Sequence, residues 1–213
     1  MATPIIGVGA GGHAKVVIEI LRSLGTYDLV GLLDANEERW QTEVLGVPVL
    51  GNDSKLEHLF AEGIRTAFIG LGTTKDPGGR IKLYSKVREI GYEIAPAIHP
   101  DAIVSGSARI GVGPTIMATA VVNADATIGD NVIVNTGAIV EHDCVLQNHV
   151  HVATRACLAG SVRVGQGSFI GAGAVIKHGI DIGSYVIVAA GAVVINNIPD
   201  GAVVMGVPAR IRS

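Results

Sequence analysis

Cysteine is nearly absent: the 213 residues contain two, Cys144 and Cys157. That count leaves room for neither a disulfide framework nor a zinc motif. Charge is sparse as well. Only 16% of the residues are charged, the net charge is −3, and Lys and Arg are scattered along the chain. No basic patch is available to track a phosphodiester backbone, which excludes nucleic acid as a partner. No apolar run reaches the roughly 20 residues that a membrane span requires. No leader of basic and then apolar residues precedes the first β-rich run, so the expected location is cytoplasmic. What the chain has in quantity is aliphatic side chains and glycine: 48% of residues are hydrophobic and 29 are Gly. That balance suits a chain that is largely sheet and turns many corners.

The stretch from Ile98 to Pro199 repeats with a period of six. Stepping by six from Ile98 meets Val104, Ile110, Ile116, Val122 and so on to Val188 and Val194, every one a branched aliphatic. Four residues after most of them stands a small or branched side chain, such as Ala138, Cys144, Val150 and Ala156. Cys144 is thereby assigned to packing. Gly111, Gly129, Gly165, Gly171 and Gly183 recur just past the aliphatic position, where a tight corner would call for unusual dihedrals. A sandwich of ordinary strands would alternate with period two and vary its turns. Period six without slippage is instead the pattern of a parallel β-helix, whose repeats bury their apolar sides only by stacking. Three hexads make one triangular coil, so residues eighteen apart stack vertically.

Residues 1 to 97 read differently. Ile5–Val8 is β-rich, and Gly7-Val8-Gly9-Ala10-Gly11-Gly12-His13-Ala14-Lys15 leads into a helical pattern from Ala14 to Leu24. Strand, glycine turn and helix, with a second apolar strand at Leu29–Leu33 ending in Asp34, match a dinucleotide-binding unit. The glycines let backbone approach a phosphate, and the helix start supplies N–H donors. Further strands at Leu45–Leu50, Ala67–Leu71 and Tyr92–Ala95, with helices at Ser54–Glu62 and Arg80–Ile90, are enough for one mononucleotide half and too few for a full NAD domain. The expected ligand is a nucleotide or nucleotide-sugar diphosphate, with Gly9, Gly11, Gly12, His13 and Lys15 on the phosphates and Asp34 near the ribose or base. Gly70-Leu71-Gly72-Thr73-Thr74 ends a strand on the same sheet edge and makes Gly72 and Thr73 the next candidates.

Three of the seven histidines, His142, His149 and His151, fall close together at hexad positions that should face outward. Asp143 follows His142, and a carboxylate beside an imidazole holds its tautomer and raises its basicity, as a general base requires. Adding eighteen to His142 gives Gly160, and again His178. A glycine stacked on the histidine leaves room for an extended ligand and offers a backbone N–H to a developing oxyanion. His151 lies half a coil from His142 and meets it only across a threefold assembly. The pair of histidines with four residues between them, carried by zinc-binding hydratases built on this repeat, is absent, so no metal is expected.

The glycine turn with His13 and Lys15, Leu33-Asp34, Leu45-Gly46-Val47-Pro48-Val49-Leu50-Gly51, Ile98-His99-Pro100, Val140-Glu141-His142-Asp143-Cys144 and the closing Gly206-Val207-Pro208-Ala209-Arg210 together resemble the PglD/NeuD-like sugar acyltransferases. The likeness runs nearly end to end. It implies an α/β Rossmann-like half domain over 1–97, a left-handed parallel β-helix over 98–199, and a tail, 200–213, near a coenzyme A site. It also implies a homotrimer in glycan or polysaccharide biosynthesis, with acetyl-CoA between neighbouring helices. Carried over by position, His142 resembles the family's base, Asp143 its carboxylate, Gly160 the donor to the thioester carbonyl and His151 a second active-site histidine. Gly206, Pro208 and Arg210, with Gly160 and His178, fall to acetyl-CoA. Asp143 stands where some relatives have Glu, and Thr73 and Thr74 where some have Asn.

The activity expected is N-acetylation of a nucleotide-linked amino sugar, a UDP- or GDP-4-amino-4,6-dideoxy sugar, by direct attack within a ternary complex. No serine or cysteine stands on the histidine column to carry the acyl group. The alternatives are a sugar O-acetyltransferase of the sialic-acid type and a non-catalytic trimeric scaffold that binds nucleotide sugars.

Overall fold

The protein is described here from a computed structural model covering residues 2–73 and 76–212. The chain divides into two compact units, Met1–Ala97 and Ile98–Ser213.

In the first unit β1 (Thr3–Val8) pairs in parallel with β2 (Tyr27–Leu33) on one side and β5 (Thr66–Ile69) on the other. The sheet is completed by β3 (Glu43–Val44), β4 (Val47–Gly51) and β6 (Glu93–Ile94), in the order β3-β4-β2-β1-β5-β6. Helix α1 (Gly12–Leu24) buries Ala14, Val17, Ile18 and Leu21, one apolar stripe at helical spacing. It stops at Gly25, whose φ of 65° closes the last turn with its N–H on the carbonyls of Leu21 and Arg22. Helices α2 (Leu56–Ala61) and α3 (Gly78–Ile90) complete the unit. The strand expected from Leu45 begins two residues later. Leu45 and Gly46 have φ of 51° and 74°, and two consecutive left-handed residues make the tight turn that joins β3 to β4 as an antiparallel hairpin.

The second unit is a parallel β-helix of the hexapeptide-repeat, left-handed type. Its strands are almost all two residues long and fall into three sheets. Face one holds Ile133–Val134, His151–Val152 and Phe169–Ile170; face two Ile139–Val140, Cys157–Leu158 and Val175–Ile176; face three Val145–Leu146, Arg163–Val164 and Asp181–Ile182. Up to Val194 each strand pairs with the one eighteen residues away, Ile133 with His151 and Val140 with Leu158. The aliphatic and small positions of the repeat interleave in one axial core, including Ala138, Val140, Cys144, Leu146, Val150 and Val152. Each fully buried aliphatic contributes about 1.5–3 kcal/mol, and no coil could bury its own set alone. The sheets run on past Pro199: Val203–Met205 pairs with Ile187–Val188, and Arg210–Ile211 folds back antiparallel on it.

The recurring glycines do not serve the purpose expected of them. The left-handed residues of the corners stand two positions later, also every six residues: Gly113, Thr119, Asp125, Asn131, Gly137, Asp143, His149, Arg155. Gly111, Gly129, Gly165, Gly171 and Gly183 lack positive φ, and are required because a neighbouring coil passes against them. A Cβ on Gly165 would lie 2.5 Å from the backbone of Gly183 and Ser184.

Candidate active site

His142 and Asp143 form the corner between faces two and three. Asp143 takes the left-handed position, φ 61°, and this turns its carboxylate back onto the preceding side chain. His142 Nδ1–H donates to Asp143 Oδ2 at 2.8 Å, which leaves Nε2 with its lone pair exposed. That hydrogen bond, with the charges of Asp143 and Glu141, raises the imidazole pKa above its ordinary 6.5 against a smaller opposing effect of desolvation. Glu141 does not touch the ring. Its Oε2 accepts from Asn123 Nδ2 at 3.0 Å and from the His142 backbone N–H at 3.2 Å, and so stiffens the corner.

Gly160 stacks beneath His142. A Cβ at this position would lie 2.6 Å from both Cε1 and Nε2 of the imidazole, so the ring lies over bare backbone that only glycine provides. The ring leans on toward His178, with centroids 6.4 Å apart and planes tilted by 45°. The Gly160 N–H is distinctive for a reason one residue upstream. At the equivalent corners Asn123, Asn135 and Glu141 each accept from the N–H of the residue that follows. Ala159 has no acceptor to offer, and among the described residues the Gly160 N–H has no partner. A base and an uncommitted amide therefore share one column, the arrangement that proton transfer beside a developing oxyanion needs.

In the first unit, Gly9 has a φ of 102°, and a Cβ there would lie 2.7 Å from Leu71 N. Around Gly12, at the start of α1, a Cβ would meet nothing within 4 Å, so the space beside the helix start is open. Asp34 is occupied locally. Its two carboxylate oxygens accept from Ala10 N at 2.7 Å and Asn36 N at 2.9 Å, and Arg39 lies 3.6 Å away while donating to Ala10 O. Asp34 thus clamps the glycine turn, and its carboxylate also lines a cavity of about 310 Å³ together with Gly9. Gly11, Gly12 and Lys15 line a second, shallower opening with Arg39. His13 packs by Gly72, whose Cβ would come within 3.2 Å of it. Thr73 belongs to the same loop, and Thr74 lies outside the described residues.

Comparison with known proteins places these features. Residues 4–87 match the PglD N-terminal domain, and residues 161–196 match the bacterial transferase hexapeptide repeat. A histidine-to-asparagine variant of perosamine N-acetyltransferase from Caulobacter crescentus, in complex with CoA and GDP-perosamine, is 42% identical at a TM-score of 0.93, with 100% of this chain and 98% of that one covered. The chain belongs to the PglD/NeuD-like acyltransferase family. The acetyltransferase domain of PglB from Neisseria gonorrhoeae in complex with acetyl coenzyme A is 39% identical, TM-score 0.90, over 100% of both chains. WeeI from Acinetobacter baumannii is 28% identical, TM-score 0.85, over 99% of this chain and 100% of that one. No curated protein matches.

Within one chain of this acyltransferase, His142 and His151 do not meet. His151 begins a strand of face one, is only 7% exposed despite its outward hexad position, and packs edge-on against Phe169 at 5.1 Å. Asn135 Nδ2 donates to its Nε2 at 3.2 Å, with the amide held in that sense by the Thr136 N–H on Oδ1. His149 occupies the corner between faces three and one, where Asn131 Nδ2 donates to Nδ1 at 3.0 Å. The segment from Gly206 to Ala209 is held to face two by backbone hydrogen bonds, Val193 N donating to Gly206 O and Ala209 N to Val193 O; Gly206, Pro208 and Arg210 are exposed. Cys144 is buried and donates to Ala159 O, and burial pushes its thiol up to about 11.

Two further residues shape the site. Asn123 is one coil from Glu141, and a step of eighteen backward finds it. Arg80, read only as a helix start, is 3% exposed and donates through Nη1 to the carbonyls of Ile69 and Leu71, with His13 Nε2 3.4 Å away. Burial lowers this guanidinium to about 9, which still leaves it charged at neutral pH.

Proposed function

We propose that this chain is an acetyl-CoA-dependent N-acetyltransferase that acylates the amino group of a nucleotide-linked sugar of the 4-amino-4,6-dideoxy class. The observation that carries the reading is the His142 imidazole, its Nε2 lone pair free of Asp143, packed over the bare backbone of Gly160, whose own N–H is uncapped. The relatives crystallised with CoA and GDP-perosamine, or with acetyl coenzyme A, support the choice of both substrates.

The amine nitrogen attacks the thioester carbonyl carbon. His142 Nε2 takes the proton released by that nitrogen, and the Gly160 N–H donates to the carbonyl oxygen as it becomes an oxyanion. The tetrahedral centre then collapses. The carbon–sulfur bond breaks, and the proton on His142 passes to the departing thiolate, so the base is restored. Asp143 holds the tautomer through both transfers. An imidazole oriented by a carboxylate serves an amine or a hydroxyl equally as general base, so the choice of an amine acceptor rests on the N-acetyltransferase relatives.

In the first unit, Gly9, Gly11, Gly12, His13 and Lys15 serve the diphosphate, with Asp34, Gly72 and Thr73 around it. Acetyl-CoA lies along the helix axis with its thioester at Gly160, its length passing His178 toward Gly206, Pro208 and Arg210. His151 contributes from a neighbouring protomer of a homotrimer.

Release of free thiol from acetyl-CoA, followed for nucleotide-linked amino sugars against matched hydroxyl sugars on protein whose mass is fixed by sedimentation, tests this. Turnover with amine acceptors by a trimer is expected. Turnover confined to hydroxyl acceptors would replace N-acetylation by O-acetylation, and an active monomer would remove the role given to His151.

A further inference from the structure

The cavity of about 310 Å³ in the first unit sits at the carboxyl ends of β1, β2, β4 and β5, the edge at which sheets of this kind bind ligands. Val8, Leu33, Leu71 and Leu83 give it apolar walls, a lining suited to a flat ring. Among the described residues its polar side chains are Asp34, Asp53, Lys82 and Lys86. Asp34 already accepts on both oxygens, from Ala10 N in the glycine turn and from Asn36 N. Asp53 differs. It is held from one side, Lys86 Nζ donating to Oδ2 at 2.9 Å, and both side chains stay nearly half exposed at the cavity.

A lysine next to a carboxylate offers a donor beside two acceptor oxygens, with no donor on the carboxylate side. The ring edge that complements this order presents an acceptor, then a donor, then a second donor. Guanine does so with O6, N1–H and the N2 amino group. Uracil and thymine match the first two positions, but their third group is a carbonyl, which would face a carboxylate oxygen. Adenine puts an amino group where the ammonium would stand and a bare ring nitrogen where the carboxylate would. We infer that this cavity takes the nucleobase of the sugar donor, and that Asp53, with Lys86, makes that base guanine. The inference rests on the nucleotide-sugar reading above and goes further by naming the base.

Titration calorimetry of the full chain with GDP, IDP, XDP, UDP, dTDP and ADP tests it. GDP is expected to bind roughly tenfold or more tighter than UDP, dTDP and ADP, the scale of one well-placed bidentate base contact. IDP lacks only the N2 amino group and should fall between, which tests the contact without altering the protein. In Asp53→Asn the amide can donate to the carbonyl that xanthine carries at that position, so GDP should weaken and XDP should gain. UDP or dTDP binding as tightly as GDP, IDP equalling GDP, or an Asp53→Asn protein with an unchanged order of affinities overturns the guanine assignment and leaves the nucleotide-sugar reading standing. Binding of none of the six overturns both.

Discussion

The chemistry proposed for His142 depends on which ring nitrogen carries the proton, and the left-handed backbone of Asp143 decides that by aiming a carboxylate at Nδ1. The hydrogen bond stabilises the protonated ring, so the folded pKa lies above 6.5. A base must be deprotonated to act. The kcat/KM of the native protein should therefore rise with pH through an acid limb centred above 6.5. Asp143→Asn removes the charge and should move that limb to lower pH while lowering the plateau, because the tautomer is less firmly held. An acid limb that does not move in Asp143→Asn would show that the titrating group is not His142.

Among the elements, the coil was the most legible part of the sequence, because period six and the eighteen-residue step follow from side-chain type alone. The stacking of Gly160 on His142 could be read the same way. What could not be read was anything set by the distance between coils. The glycines at 111, 129, 165, 171 and 183 looked like dihedral requirements, while a neighbouring backbone 2.5–2.8 Å from a would-be Cβ is the real constraint. Burial of His151 was hidden for a related reason, since its hexad slot faces outward and only three-dimensional packing covers it. In the first unit the glycine turn was plain, but Asp34's grip on Ala10 N and Arg80's hold on the Ile69 and Leu71 carbonyls depend on directions that spacing does not encode. A pair of variants separates the two kinds of glycine. Gly165→Ala drives a Cβ into Gly183 and Ser184, which cannot rotate aside, and should cost about 3 kcal/mol. Gly179→Ala adds a methyl to open space at φ 68° and should cost only the left-handed penalty, about 1 kcal/mol. Thermal melting should rank Gly165→Ala well below Gly179→Ala, and the reverse order would contradict the axial-contact explanation.

For the whole molecule, the proposed function divides between two compact units: one a mononucleotide-sized α/β fold with a glycine turn and an apolar cavity, the other a solenoid with the proposed base over bare glycine backbone at one corner. Removing the base should therefore abolish chemistry without touching recognition, and steady-state kinetics of His142→Ala, paired with calorimetry of acetyl-CoA and of the nucleotide, reads both. The kcat for acetyl transfer to a nucleotide-linked amino sugar should fall by about 10²–10⁴-fold, the share a positioned general base supplies, with both dissociation constants unchanged. Native turnover in His142→Ala, or a loss traced wholly to weaker acetyl-CoA binding, would contradict the assignment of His142 as the base.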